Sequence, residues 1–520
     1  MKKLLSLIFI ATLVTTFFAC EDDDPTDLAA PAVTAPAATN VEFSGASDLS
    51  FTYTAAAGFK SSAVTATGGT AAIKTDGVAG ETTGTIVVTF TAGSTAGAGS
   101  VTLTITDNED DTDDATVVIT VQAEVTTFEI NSNITADATW ETGKTYILGA
   151  RVAVVSGVTL TIEPGVVVKG KAGTGANATA LLIARGGKID AQGTAALPII
   201  FTSVADDITP EDVAAGNFES PNLDPDASGL WGGLLILGKA PISVSTNATE
   251  FQIEGIPASD TNGLYGGSDP ADNSGTVRYV SIRHSGTNIG EGNEINGLTL
   301  GGVGSGTTIE FIEVVGNQDD GIEFFGGTVN VTNLLIWNTE DDGVDTDQAW
   351  SGTLDNFIVI AGSQTDHTLE IDGPEGTFGE GTSTGHTIKN GTIKGFIALT
   401  SGTPNGNGAE MADFRDGARA TVQNIFFFNF ADASNGAGRG DFSLSNTAPG
   451  TETTDNFAAG YLSFSGLEAV QVGAVPLTTV FKAGTSAHAS YVAADANTVG
   501  ADATKFGWTF AKATGEIDGF

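Results

Sequence analysis

Two segments of the chain repeat at a fixed interval, and that interval constrains the fold more than any other feature. Asp319-Asp320-Gly321-Ile322-Glu323 is followed 22 residues later by Asp341-Asp342-Gly343-Val344-Asp345. Asn333-Leu334-Leu335-Ile336-Trp337 is followed 23 residues later by Asn356-Phe357-Ile358-Val359-Ile360. A period in this range means one supersecondary unit stacked on the next. Leucine-rich repeats share the period but need a leucine consensus and helical segments, which this stretch lacks. Short apolar runs divided by Gly, Asn and Asp, without hairpin spacing, predict instead a parallel β-helix over residues 124–520. Polar, Gly-rich stretches over 206–229, 257–275, 373–385 and 432–456 read as insertions. The segment Phe506-Gly507-Trp508-Thr509-Phe510 is expected to cap an end of the solenoid.

Upstream, over residues 41–122, the pattern changes to period two. Leu49-Ser50-Phe51-Thr52-Tyr53 and Val101-Thr102-Leu103-Thr104-Ile105 alternate apolar with polar between Gly-rich gaps, which predicts a small antiparallel β-sandwich. The fold class is therefore all-β: a β-sandwich followed by a parallel β-helix. Residues 20–40, rich in Asp, Pro, Ala and Thr, read as a flexible tether. With 63 acidic against 21 basic residues the formal net charge is −42. Such a charge repels nucleic acid and anionic headgroups and attracts divalent cations.

Residues 1–19 pair two lysines with a short apolar run, the pattern of a signal peptide. Phe17-Phe18-Ala19-Cys20 resembles the lipobox of bacterial lipoproteins, which implies lipidation at Cys20, the only cysteine. The acidic Glu21-Asp22-Asp23-Asp24 that follows resembles the surface-export signal of Bacteroidetes lipoproteins and implies a lipid-anchored location on the outer face of the outer membrane. The last strand pattern before Gln122 resembles immunoglobulin-like or cadherin-like bacterial modules in architecture. Gly157-Val158-Thr159-Leu160-Thr161-Ile162-Glu163-Pro164-Gly165, Trp231-Gly232-Gly233-Leu234-Leu235-Ile236-Leu237 and the Asp-Asp-Gly segments resemble a Bacteroidetes surface lipoprotein family with a pectate-lyase-like right-handed β-helix. That resemblance implies a fold and no settled activity.

The repeat stacks acids. If Gly321 and Gly343 are equivalent, Glu323 and Asp345 lie on adjacent turns about 4.8 Å apart. Thr368-Leu369-Glu370-Ile371-Asp372 then brings Glu370 above Asp345 and Asp372 above Asp347, and Ala409 to Asp416 continues the ladder. Stacked like charges repel. Three readings are open: solvated turn acids, a calcium site at Glu323, Asp345, Asp347, Glu370 and Asp372, or catalysis of the polysaccharide-lyase kind. In the last, Asp345, Glu370 and Asp413 would hold the metal and Arg415 would be the base, as the likeness to pectate lyases implies. Nearly any two ladder acids could also be set for glycoside hydrolysis. His367 occupies the repeat position of Asp320 and Asp342 and reads as a turn histidine or an added metal ligand. No H-E-x-x-H occurs in the chain. Trp350, Tyr265 and Phe378, in or beside polar loops, are candidates for sugar contacts.

With no defined catalytic set, the first expectation is a non-catalytic surface lipoprotein that binds extracellular glycans or outer-membrane proteins. A calcium-dependent polysaccharide lyase or glycosidase, and a self-associating structural protein, are the alternatives.

Overall fold

The computed structural model describes residues 28–287, 294–377, 385–396, 399–400, 403–404, 409–430, 440–445, 453–471 and 473–520. Cys20, the lipobox and Phe378 lie outside the described residues. Contacts divide the chain into two compact units, residues 1–125 and 126–520.

In the first unit eight strands are built from alternating sequence: β1 (Ala32–Thr34), β2 (Thr39–Val41), β3 (Ala46–Thr54), β4 (Phe59–Thr67), β5 (Gly69–Thr75), β6 (Thr83–Ala92), β7 (Gly97–Asp107) and β8 (Thr112–Val121). They form two four-stranded sheets, ordered β1-β3-β6-β5 and β2-β8-β7-β4. Every second side chain of β3, β6, β7 and β8 points inward, so Phe51, Ile86, Phe90, Leu103 and Ile119 meet in one core while intervening threonines face water. The acidic run between β7 and β8 is a turn in which buried Asp107 accepts backbone N–H bonds from Glu109 (2.9 Å) and Asp111 (3.0 Å).

The second unit is a right-handed parallel β-helix. One face stacks nine short parallel strands, from Arg151–Val154 through Leu298–Gly301, Ile322–Phe325, Val344–Asp347, Leu369–Ile371 and Ala412–Phe414 to Phe442–Leu444. The other belongs to a fifteen-stranded sheet. Its longer strands each bend at a left-handed residue, and these residues form one column: Tyr279 (φ 49°), Phe311 (55°), Asn333 (59°), Asn356 (58°), Asn390 (59°), Asn424 (60°) and Gly466 (63°). Asparagine tolerates this region because its short side chain hydrogen-bonds locally. Here the amides also bond along the column, Asn356 Nδ2 to Asn333 Oδ1 at 2.6 Å and Asn424 Nδ2 to Asn390 Oδ1 at 3.1 Å. Each bend lets one chain turn a corner while Leu334, Ile336, Phe357, Val359 and Ile393 fill a continuous interior.

The segment expected to cap an end does something else. Phe506, Phe510, Ala511 and Ile517 pack on Val315, Leu335, Trp337, Ile358 and Ile360, outward-facing residues of three middle turns. Those five positions carry apolar side chains on both sides of their strands, so the outer strip needs a cover. Glu313 accepts the Ala511 N–H at 3.1 Å, and Arg283, fully buried, lies 4.9 Å under the Phe510 ring. Residues 501–520 thus strap the flank of the helix. No described helix is long and apolar enough to cross a membrane.

Candidate functional site: an acidic ladder and its adjoining cleft

On the nine-stranded face, one residue of each pair points into the interior and the next points out. Ile322, Phe324, Val344, Thr346, Leu369 and Ile371 are interior. The outward positions change character along the solenoid. In the early turns they are Ala153, Leu182, Leu235 and Leu237, continuing to Phe325, and they are covered by Ile242, Val244, Ile253, Ile256 and Tyr265 of an insertion. Past that cover they become acidic. The strand register aligns Thr299, Glu323, Asp345, Glu370, Asp413 and Ser443 in one column, so the ladder read from the repeat is present with Glu370 paired to Asp345. The backbone N–H of Asp372 donates to Thr346 O at 2.8 Å, which carries the next step of the ladder.

A second column runs beside it through the turns. Asp320, Asp342 and His367 occupy equivalent positions, each carbonyl accepting from the glycine N–H of the preceding turn. Their side chains lace the turns together: Asp320 Oδ1 accepts the Asp342 N–H at 2.9 Å, and Asp342 Oδ1 accepts the His367 N–H at 2.7 Å.

Charge along the two columns is compensated on one side only. His367 Nδ1 lies 2.9 Å from Asp342 Oδ1 and 3.0 Å from Glu370 Oε2. Burial alone would lower its pKa, but hydrogen bonds to these two carboxylates lift it to about 11. Arg415 bonds Glu370 through Nη2 and Asp372 through Nε at 2.7 Å. Burial raises Asp372 and the Arg415 bond restrains it, leaving its pKa at about 6. On the other side, Asp320, Glu323 and Asp345 are pushed well above the usual carboxylate range, first by burial and then by neighbouring acids. Asp347 is raised to about 8 by burial and then by Asp372 and Glu375.

Arg415 is not suited to be a proton-abstracting base. Burial opposes its charge, but the bonds to Asp372 and Glu370 overcome that and hold the guanidinium protonated more firmly than usual. Asp413 is occupied by the hydroxyls of Ser443 and Ser445, both at 2.8 Å. The expected metal set also divides. Glu370 and Asp372 have Arg415 as partner, whereas Glu323 and Asp345 lie with Asp320, all three offering oxygens within 4.8 Å of one another.

Two of the aromatic candidates are buried. Trp350, 1% exposed, is stacked between Phe324 at 3.9 Å and His386 at 4.8 Å, a core position that leaves no ring face for a sugar. Tyr265, also 1% exposed, donates its hydroxyl to Gln348 at 2.9 Å. It does line a cleft of about 510 Å³ between the insertion and the ladder, together with Phe251, Glu254, Phe325, Asp347 and Glu375. Phe251 is 40% exposed, so the ring that faces solvent is one the sequence did not single out. It sits in an aperiodic insertion, where no pattern marks it. Asp320 could have been found, since it belongs to the repeated Asp-Asp-Gly.

This architecture, a parallel β-helix with a decorated outer face, defines a class of solenoid proteins. Residues 132–216 and 218–510 match the pectate-lyase-like β-helix domain, and the chain belongs to that family. No curated protein matches the chain. Among solved structures, it is similar to an exopolygalacturonase of family 28 from Yersinia enterocolitica, with 11% identity over 86% of this chain and 88% of that one, at a TM-score of 0.19. A SrpA adhesin from Streptococcus sanguinis is 17% identical over 19% of this chain, at a TM-score of 0.17, and the chain spans 61% of that adhesin's length. With TM-scores this low, no residue role is carried over from either.

Proposed function

We propose that the protein is a surface-anchored β-helix lipoprotein that holds an extracellular glycan in the cleft between its insertion and its acidic ladder. The observation that supports this is the meeting of an exposed ring, Phe251, with the carboxyls of Glu254, Asp347 and Glu375 in one cleft of about 510 Å³. A pyranose presents an apolar face to a ring and hydroxyls to carboxyls, and a concave site with a few convergent polar groups suits such a ligand. None of the described lining residues is basic, which favours a neutral glycan over a uronate. The anchor would be Cys20, by its likeness to a lipobox. Titration calorimetry with neutral oligosaccharides tests the cleft: Phe251→Ala should weaken binding about tenfold, the value of one stacked ring. If no neutral glycan binds the wild-type protein, the proposal fails. Mass spectrometry of the membrane fraction tests the anchor, which requires a lipidated Cys20.

One observation favours glycoside hydrolysis as a second reading. Asp347, with a pKa of about 8, keeps its proton at neutral pH, while Asp372, at about 6 and bonded to Arg415, loses it. Two carboxyls driven apart in this way can divide the roles of general acid and base. Release of reducing ends from a bound glycan, abolished by Asp347→Asn, would establish it; binding without release excludes it.

A further inference from the structure

Asp320, Glu323 and Asp345 come from two adjacent turns, and each offers a carboxylate oxygen within 4.8 Å of the other two. The neighbouring acids Asp342, Glu370 and Asp372 are met by His367 and Arg415. No described lysine, arginine or histidine forms a salt bridge with any of the three. Such crowding out of water is stable only with a counter-charge or with protons.

Two further atoms point to what supplies it. Asp345 Oδ1 is buried and has no hydrogen-bond partner. Asn296 is 2% exposed, and its amide rests on the group, with Nδ2 donating to Glu323 Oε2, yet its own Oδ1 is buried without a partner. A buried carbonyl oxygen left unbonded costs more than a typical hydrogen bond contributes. Turning the Asn296 amide over would direct that oxygen to the carboxylates, where a cation held between them would satisfy it.

We infer that Asp320, Glu323, Asp345 and the Asn296 side-chain oxygen form a binding site for one hard divalent cation, of the calcium class, between two turns of the solenoid. The donor set is oxygen alone, without thiolate or imidazole, which suits a hard ion. Three acids and an amide leave room for water in the six to eight positions calcium takes, and calcium tolerates the irregular geometry that two turns impose. The ion would tie the turn carrying Asp320 and Glu323 to the one carrying Asp345, at the outer face rather than in the core.

The test uses the full-length protein stripped with EDTA and dialysed, then titrated with calcium chloride in a calorimeter and heated with and without the ion. One bound ion per chain and a rise in melting temperature are expected. Glu323→Gln and Asp345→Asn should each weaken calcium binding about tenfold or more, as loss of a ligand does. Both variants remove crowded charge, and far-UV circular dichroism confirms their folding. Asp372→Asn, in the compensated half, should change calcium affinity less than about twofold. Absence of both heat and melting response in the wild type overturns the inference. So does an Asp372→Asn variant that loses calcium as fully as Asp345→Asn, since the ligand set would then be wrong.

Discussion

His367 Nδ1 is held 3.0 Å from Oε2 of Glu370, three residues further along the chain, and the same nitrogen reaches Asp342 one turn away at 2.9 Å. Asp366 lies 3.7 Å from that nitrogen, and Glu410 3.9 Å from Nε2, so the four described groups in ion-pair range of the ring are all acidic. The folded pKa of about 11 exceeds the 6.5 of an ordinary histidine. Its stabilisation is therefore complete below about pH 6.5 and is lost as the pH rises through about 11. His367→Gln should destabilise the protein at pH 7 by about 3 kcal/mol, the cost of breaking a buried pair. In urea melts the gap between variant and wild type should close towards pH 11. A gap that is constant from pH 6 to 11 would mean the ring acts by packing alone.

On the proposed function, Phe251 and Trp350 should separate recognition from stability. Trp350→Ala removes a buried indole stacked on Phe324 and should cost about 3–5 kcal/mol, with glycan affinity unchanged in the fraction that folds. Phe251→Ala should leave the melting temperature within a degree or two of wild type and lower affinity, because a half-exposed ring contributes little to the core.

The asparagine column predicts a difference between two small substitutions. At Asn356, φ is 58°, so alanine there meets the left-handed penalty and also loses the bond to Asn333. Asn356→Ala should cost about 2 kcal/mol, while Asn356→Gly recovers the backbone part, roughly half. Chemical denaturation of both variants checks the order.

Phe510 covers Trp337, with ring centres 5.8 Å apart, and lies over the Arg283 guanidinium. Phe510→Ala should cost about 3 kcal/mol and make the strap an early site of limited proteolysis, ahead of the solenoid strands. Cleavage elsewhere first would mean that the strap is not the weakest link.

The parallel β-helix and its acid column were legible because both follow from spacing. Once Gly321 is aligned with Gly343, the pairing of Glu323 with Asp345 and of Asp345 with Glu370 is forced by the period. What spacing cannot show is which neighbour meets each charge. Arg415 reaches across a turn to Asp372, at a sequence distance of 43, and Asn296 reaches Glu323 at 27. The cleft wall was illegible for a related reason: Phe251 and Glu254 come from an insertion that obeys no repeat, and insertion and ladder meet only in three dimensions. Trp350 misled because a polar loop in the sequence turned its ring inward, onto Phe324.

The bond between Ala511 and Glu313 joins residues 198 apart. During synthesis the N-terminal side of the chain emerges first, so the turns around Val315, Leu335 and Ile358 can stack while their outer strip is still bare. That strip is a greasy ribbon waiting for its cover, and any chaperone or sister chain present in the interval has the same surface to grip. The strap therefore sets a clock on maturation: the molecule stays sticky until residues 501–520 have been made and have docked.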